Sequence, residues 1–332
     1  MHRAGWLHRL RVVRAAVLGS VVAAGVVSLA NAQANYPTKP IRIMVGFAAG
    51  GPADIIARVV GGRLGDLLGQ QVVIENRTGA GGTIATEAVA RSDPDGYTLL
   101  MTPLANAVNE TLFKTMRAKV GEQLMAVAPL AETANVLVVH PSLEVKSVSD
   151  LIALAKSKPG DILYASAGRG TATHLTSELF NMMAGVKLSP VQYRGGGEAA
   201  KDLLSGQVKV MFSSIAPVPE HVKSGSLRGI ATTGPKRDAA LPDLPTVAES
   251  GLPGFDVRLW IGLLSPSGTP RPVIERLSGA LSQALAMPEM KSALAAQGFD
   301  PLIGTPEQFD TFYRGEVEKW AKVIQAVGMT AE

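Results

Sequence analysis

From Tyr36 onward, short apolar runs alternate with stretches whose apolar positions recur every three or four residues. Pro40 to Gly46 reads as a buried strand that ends at Phe47-Ala48-Ala49-Gly50-Gly51. Ile55, Ile56, Val59, Val60, Leu64, Leu67 and Leu68 then recur at helical spacing, and Gly69 stops them. Val72 to Glu75 is a second strand, Thr83 to Ala90 a small-residue helix and Tyr97 to Met101 a third strand. The middle repeats the theme. Strands are expected at Ala134 to Val139, Ile162 to Ser166, Leu188 to Tyr193, Val208 to Phe212 and Leu227 to Thr232. Helices are expected at Ser149 to Ser157, opened by a Ser–Asp cap, at His174 to Ala184 and at Glu198 to Leu204. The tail reads as three helices, Pro272 to Met287, Pro288 to Ala296 and Pro306 to Val327, with proline in the opening turn.

Alternation of this kind predicts an α/β fold of parallel-rich sheets flanked by helices. The pattern divides into two lobes. Residues 33–133 with 257–332 form one, and 134–256 form the other, with Phe255 to Ser265 as the return strand. A protein so built holds a ligand between its lobes, at the carboxyl ends of the parallel strands.

Composition narrows the classes of function. Hydrophobic residues make up 46% and charged residues 18%, enough apolar surface for a large core. There is no cysteine, so disulfides, zinc–thiolate sites and cysteine nucleophiles are excluded. The formal charge is +4, but Arg3, Arg9, Arg11 and Arg14 account for all of it, because residues 1–32 contain no acid. Nucleic-acid binding, which requires a basic working surface, loses its support. Those same residues read as a secretory signal. A basic stretch precedes the apolar run Ala15 to Leu29, and Ala30-Asn31-Ala32 matches a cleavage site. The mature chain is then expected to begin near Gln33 and to be exported.

Three strand-to-helix turns are rich in glycine. They are Phe47 to Asp54, Ser166 to His174 and Tyr193 to Ala199. Glycine lets backbone approach a ligand, and each helix start offers unpaired N–H groups and a positive dipole end, which suits a carboxylate or phosphate. Asp54, in the first helical turn, is expected to act as a cap. Arg169 and Arg194 are the cations in these turns able to fork onto a carboxylate. Enzyme signatures fail. Tyr164 stands where a nucleophile elbow at Ser166 needs glycine, a Walker lysine is missing, and His140, His174 and His221 lack metal-ligand spacing. No cofactor, no metal and no catalytic residue are expected.

Several blocks taken together resemble a known family. They are Tyr36-Pro37, Lys39-Pro40-Ile41-Arg42, Phe47-x-Ala49-Gly50-Gly51-x-x-Asp54-x-x-Ala57-Arg58, Glu75-Asn76-Arg77-x-Gly79-Ala80-Gly81-Gly82, Pro94-Asp95-Gly96-Tyr97, Tyr193-x-Gly195-Gly196-Gly197 and Pro266-x-Gly268-Thr269-Pro270. This order resembles the Bug family, the TctC-like periplasmic receptors of tripartite tricarboxylate transporters. The resemblance implies a two-lobe periplasmic binding fold of type II-like form, a small carboxylate ligand and transient docking on membrane transporter subunits; nothing in the sequence demands more than a monomer. Carried over by motif, the ligand-binding residues are Phe47, Ala49, Gly50, Gly51, Asp54, Thr102 and Asn106 from one lobe. The other lobe supplies Ser166, Gly168, Thr171, His174, Gly195, Gly196, Gly197 and Ser213. Where relatives carry an acid after the Met211-Phe212 strand, this chain has Ser213-Ser214, which disfavours an amino-acid ligand because a hydroxyl does not balance an ammonium group. The alternatives are a ligand sensor for a membrane signalling partner and an exported hydrolase using Ser166 and His174.

Overall fold

A computed structural model describes residues 36–113 and 116–330. The expected secretory leader, residues 1–32, lies outside the described residues. Strand β1 (Ile41–Val45) is buried along most of its length and pairs in parallel with β2 (Val72–Asn76) and β3 (Thr98–Pro103). Helix α1 (Pro52–Leu68) crosses between β1 and β2. Pro52 sits at its first turn, and the left-handed Gly69 (φ 68°) returns its N–H to the Gly65 carbonyl, closing the last turn. A short 3-10 turn (Ala80–Gly82) and α2 (Thr83–Ala90) lead to β3, and α3 (Leu104–Leu112) follows directly from it.

Strand β4 (Leu124–Val139) is 16 residues long and joins the two halves. From Leu124 to Ala134 it runs antiparallel to β9 (Arg258–Pro266), which in turn pairs antiparallel with β3. From Asn135 to Val139 it pairs instead with β7 (Val210–Ser214) and β8 (Arg228–Thr232). Around β7 lie β5 (Leu163–Ser166) and β6 (Ser189–Gln192) in parallel, so the strand order reads β2-β1-β3-β9-β4-β7-β5-β6. The short β10 (Asp300–Pro301) adds to β4.

Helices α4 (Val148–Ser157), α5 (Ala172–Ala184), α6 (Gly196–Leu204) and α7 (Val218–Lys223) belong to the second half of the sheet. Ser147, not Ser149, caps α4. Its hydroxyl accepts the Asp150 N–H at 3.1 Å, two residues before the expected Ser–Asp start. The C-terminal helices are α8 (Arg271–Ala286), α9 (Pro288–Ala295) and α10 (Pro306–Ala326). A full capping box fixes the start of α10, with Thr305 and Gln308 bonding each other's backbone N–H.

The apolar faces gather into three clusters. One packs α1 and α8 on the first sheet half through Ile41, Ile56, Leu64, Ile274 and Leu281. A second runs from Trp320 and Tyr313 of α10 to Phe180, Phe212 and Phe255, so the last long helix buries side chains against both halves. The third, around Val136, Leu203 and Met211, fills the outer face of the second half. Among the described residues no helix is long and apolar enough to cross a membrane.

Candidate functional site

The turn after β1 is shaped by backbone crowding. A Cβ on Gly46 would fall 2.7 Å from the Gly82 Cα, and Gly82 itself (φ 97°) lies under the Phe47 ring. Asp54, 2% exposed, holds the turn from within. Its carboxylate accepts the Gly50 N–H at 2.9 Å, Arg58 Nε at 3.0 Å, Arg58 Nη2 at 2.9 Å and Asn76 Nδ2 at 2.9 Å. Asn76 also donates to the Phe47 carbonyl at 3.1 Å. The Arg58 hydrogen bonds, then those from Gly50 and Asn76, overcome burial and hold the Asp54 carboxyl down to about 2. Asp54 therefore spends its lone pairs on Gly50, Arg58 and Asn76 and organises the turn through them. Ala49 and Gly50 remain exposed at its tip.

The turn after β5 is tied by side chains at every step. Ser166 Oγ donates to the Gly168 carbonyl at 3.1 Å, and Thr171 Oγ1 donates to the same oxygen at 2.6 Å. The Ala167 N–H donates to Thr173 Oγ1 at 2.9 Å. His174 Nδ1 accepts the Gly170 N–H at 3.1 Å, which assigns the ring proton of the neutral form to Nε2. Gly168 and Gly170 adopt φ of 132° and 75°, where a side chain would strain the backbone. His174 is 6% exposed, and burial pushes its pKa below the usual 6.5 against the pull of Glu178, with Arg169 adding to the depression. Ser166 and His174 are thus each bound to the turn's own backbone, an arrangement that does not present them as nucleophile and base.

The other expected residues lie as follows. Gly195 caps α6, and Gly196 and Gly197 are exposed at its start, with no atom within 4 Å of where a Cβ would stand on any of the three. Ser213 is buried and donates to the Ser214 carbonyl at 3.2 Å. Thr102 is fully buried beside β9. Asn106, 2% exposed, donates to Thr86 Oγ1 at 2.9 Å, while its Oδ1 is buried without a partner.

A cavity of about 210 Å³ opens between these elements. Three helix starts border it: Pro52 and Ala53 of α1, Leu104 and Ala105 of α3, and Thr171 and Ala172 at the head of α5. Phe47, Leu259, Trp260 and Phe299 supply much of the remaining wall. No charged residue lines it. Thr171 and Trp260 bring the polar side-chain atoms, and both are engaged, Trp260 Nε1 donating to Glu316 at 3.0 Å. Backbone is the remaining source of donors at the three helix starts, where Ala53, Leu104, Ala105 and Ala172 each carry a first-turn N–H and Pro52 carries none.

Of the residues expected from sequence, Phe47 and Thr171 line this cavity directly, and Ala49 to Gly51 and Gly168 belong to the same turns. The Gly195 to Gly197 turn does not line it. His174 faces a separate groove with Glu178, Gln192 and Met329. Sequence reasoning marked the segment at the end of β3 through Thr102 and Asn106, but the lining residues are Pro103 to Ala105 between them, and it missed the β9 wall. Among the described residues, no group of His, Asp and Glu is arranged to hold a metal.

A family profile described as "Tripartite tricarboxylate transporter family receptor" (TctC) matches residues 56–329. Protein BugT of Bordetella pertussis is 38% identical over 317 residues, covering 94% of this chain and 97% of BugT. The solved structure of R. palustris Rpa4515 with adipate superposes with a TM-score of 0.73 at 32% identity, covering 89% of this chain and 99% of that one. MatC (Rpa3494) from Rhodopseudomonas palustris with bound malate gives a TM-score of 0.69 at 31% identity, over 87% of this chain and 100% of its own.

Proposed function

This chain belongs to the tripartite tricarboxylate transporter receptor family, and we propose that it is an exported receptor that closes two lobes around a small carboxylate and hands it to a membrane transporter. The observation that carries this reading is the meeting of three helix starts, α1 and α3 from one side and α5 from the other, on one cavity without a charged side chain. Aligned peptide dipoles and free N–H groups stabilise an anion there without a fixed counter-charge. The adipate and malate named for the two solved relatives are carboxylates of suitable size.

The lobes divide where β4 changes partners, with residues 33–133 and 257–332 on one side and 134–256 on the other. The two chain crossings, at residues 133–134 and 256–257, are tied together there through Thr233. Thr233 Oγ1 accepts the Asn135 N–H at 2.9 Å and donates to the Val257 carbonyl at 2.7 Å. A joint of a few linked backbone positions is the usual form of a hinge. Closure brings the α5 start onto the α1 and α3 starts and buries the carboxylate among donors from both lobes. Residues 1–32 direct export and are removed, placing the receptor in the periplasm.

The test is a thermal-shift series on the chain from Gln33 with mono-, di- and tricarboxylates. A ligand at a hundred times its Kd adds about 2.7 kcal/mol to stability. A saturable rise with at least one carboxylate is the expected result, and a flat series on folded protein would reject the reading.

A further inference from the structure

The cavity also limits what stands between the ligand's carboxylates, or behind a single one. Leu104, Leu175, Leu259, Trp260, Ile261 and Phe299 line it, and the polar side-chain atoms at the wall are already paired. An anionic end is served by the helix starts. A hydroxyl or ammonium on the ligand's body finds no side-chain partner and loses its water. Leaving a polar group so buried weakens binding by about tenfold or more. An apolar cavity of about 150 Å³ accepts a benzene ring, so 210 Å³ takes a ring or a chain of several methylenes with its carboxylate at the rim. We infer that this receptor selects carboxylates with an unsubstituted hydrocarbon body, aliphatic or aromatic, over hydroxylated and amino-substituted ones. The inference rests on the carboxylate-receptor reading and narrows it.

Two matched pairs separate body from charge. Galactarate is adipate with four added hydroxyls, and gallate is benzoate with three. Calorimetric titration of the chain from Gln33 is expected to show adipate, benzoate or both binding at least about tenfold tighter than the hydroxylated counterpart, the ratio that one unsatisfied group produces. A pair in which the hydroxylated acid binds measurably and as tightly as its hydrocarbon counterpart, or more tightly, overturns the inference and leaves the carboxylate reading standing. Binding of malate or citrate without either hydrocarbon acid does the same. Silence from all six ligands overturns both. Leu259→Asn, with Phe299→Asn as the second wall variant, is expected to weaken the hydrocarbon acid at least about tenfold and to shrink its advantage, with melting temperature confirming the fold. Unchanged affinity in both folded variants places the ligand elsewhere and rejects the inference.

Discussion

His174 Nδ1 accepts the backbone N–H of Gly170 at 3.1 Å, across one turn of chain at the head of α5. The bond requires an unprotonated Nδ1, and it holds the loop whose Thr171 and Ala172 line the cavity. Tyr164, Glu178 and Arg169 surround the ring, and burial is the largest influence on its titration. With the folded pKa below the unfolded value near 6.5, the unfolded state takes up protons first as pH falls. Stability is therefore full above about 6.5 and declines below it. His174→Asn keeps an acceptor near the Nδ1 position and removes the titration. The variant is expected to lose less melting temperature than the wild type between pH 7.5 and 5, and to keep its ligand affinity more evenly over that range. Parallel pH profiles would reject this role.

Asp54 gives a second acid-sensitive joint. Its carboxyl is held at about 2, below its ordinary 3.8, so its stabilising contribution is complete above about pH 4 and disappears as pH falls towards 2. Asp54→Asn at neutral pH keeps one oxygen acceptor and leaves Arg58 without its charged partner. A loss of about 1–3 kcal/mol is expected, together with a flatter acid limb in urea melts from pH 5 to 2. An unchanged acid limb would show that other carboxylates dominate it.

Glycines at two positions should answer alanine in opposite directions. At Gly82 (φ 97°) a Cβ would sit 3.1 Å from the Phe47 ring, adding backbone strain to crowding against a cavity wall. Gly82→Ala is expected to cost about 1–3 kcal/mol and to weaken ligand binding. Gly62, inside α1, has nothing within 4 Å of its Cβ position. Gly62→Ala is expected to stabilise by about 0.5–1 kcal/mol, from helix propensity and a less flexible unfolded chain, and to leave binding alone. Chemical denaturation with one shared slope decides both.

The cavity's Trp260 is anchored from below. Glu316 Oε2 accepts the indole N–H of Trp260 and of Trp320, each at 3.0 Å, and its other oxygen pairs with Lys319. Glu316→Leu leaves two buried indole donors unsatisfied, about 1–3 kcal/mol each, and frees the Trp260 ring. Glu316→Gln preserves a carbonyl acceptor and is expected to recover much of that loss. Equal destabilisation by the two substitutions would assign the effect to the charge on Glu316 and its ion pair with Lys319.

Local signals made α1 and the glycine turns legible. Pro52 and Gly69 bracket α1, and the strand-to-helix turns lie where glycine clusters. The pair Asp54 and Arg58, four apart on a helix, was readable as an ion pair, but the reach of Asn76 across 22 residues was not. The first half of β4 gave no period because both of its faces are buried, and Pro129 within it argued against a strand. The ladder accommodates that proline at an irregularity between Pro129 and Ala131. The cavity wall was hidden for a different reason. Leu259, Trp260 and Phe299 meet Phe47 through packing of segments more than 200 residues apart, and nothing local in β9 marks a residue as facing a ligand.

The account depends most on a carboxylate seated among the helix starts, and Ala172→Asp probes that seat with little risk to the fold. Position 172 opens α5, where an added carboxylate suits the helix dipole but occupies the place proposed for the ligand's charge. Calorimetric titration of the wild type and of this variant with adipate and with benzoate, from Gln33 onward, is the direct measurement. The prediction is saturable one-to-one binding by the wild type and a loss of at least about tenfold in the variant at an undiminished melting temperature. Equal binding of the recognised acid by both proteins, or a carboxylate series that fails to bind the folded wild type, would contradict it.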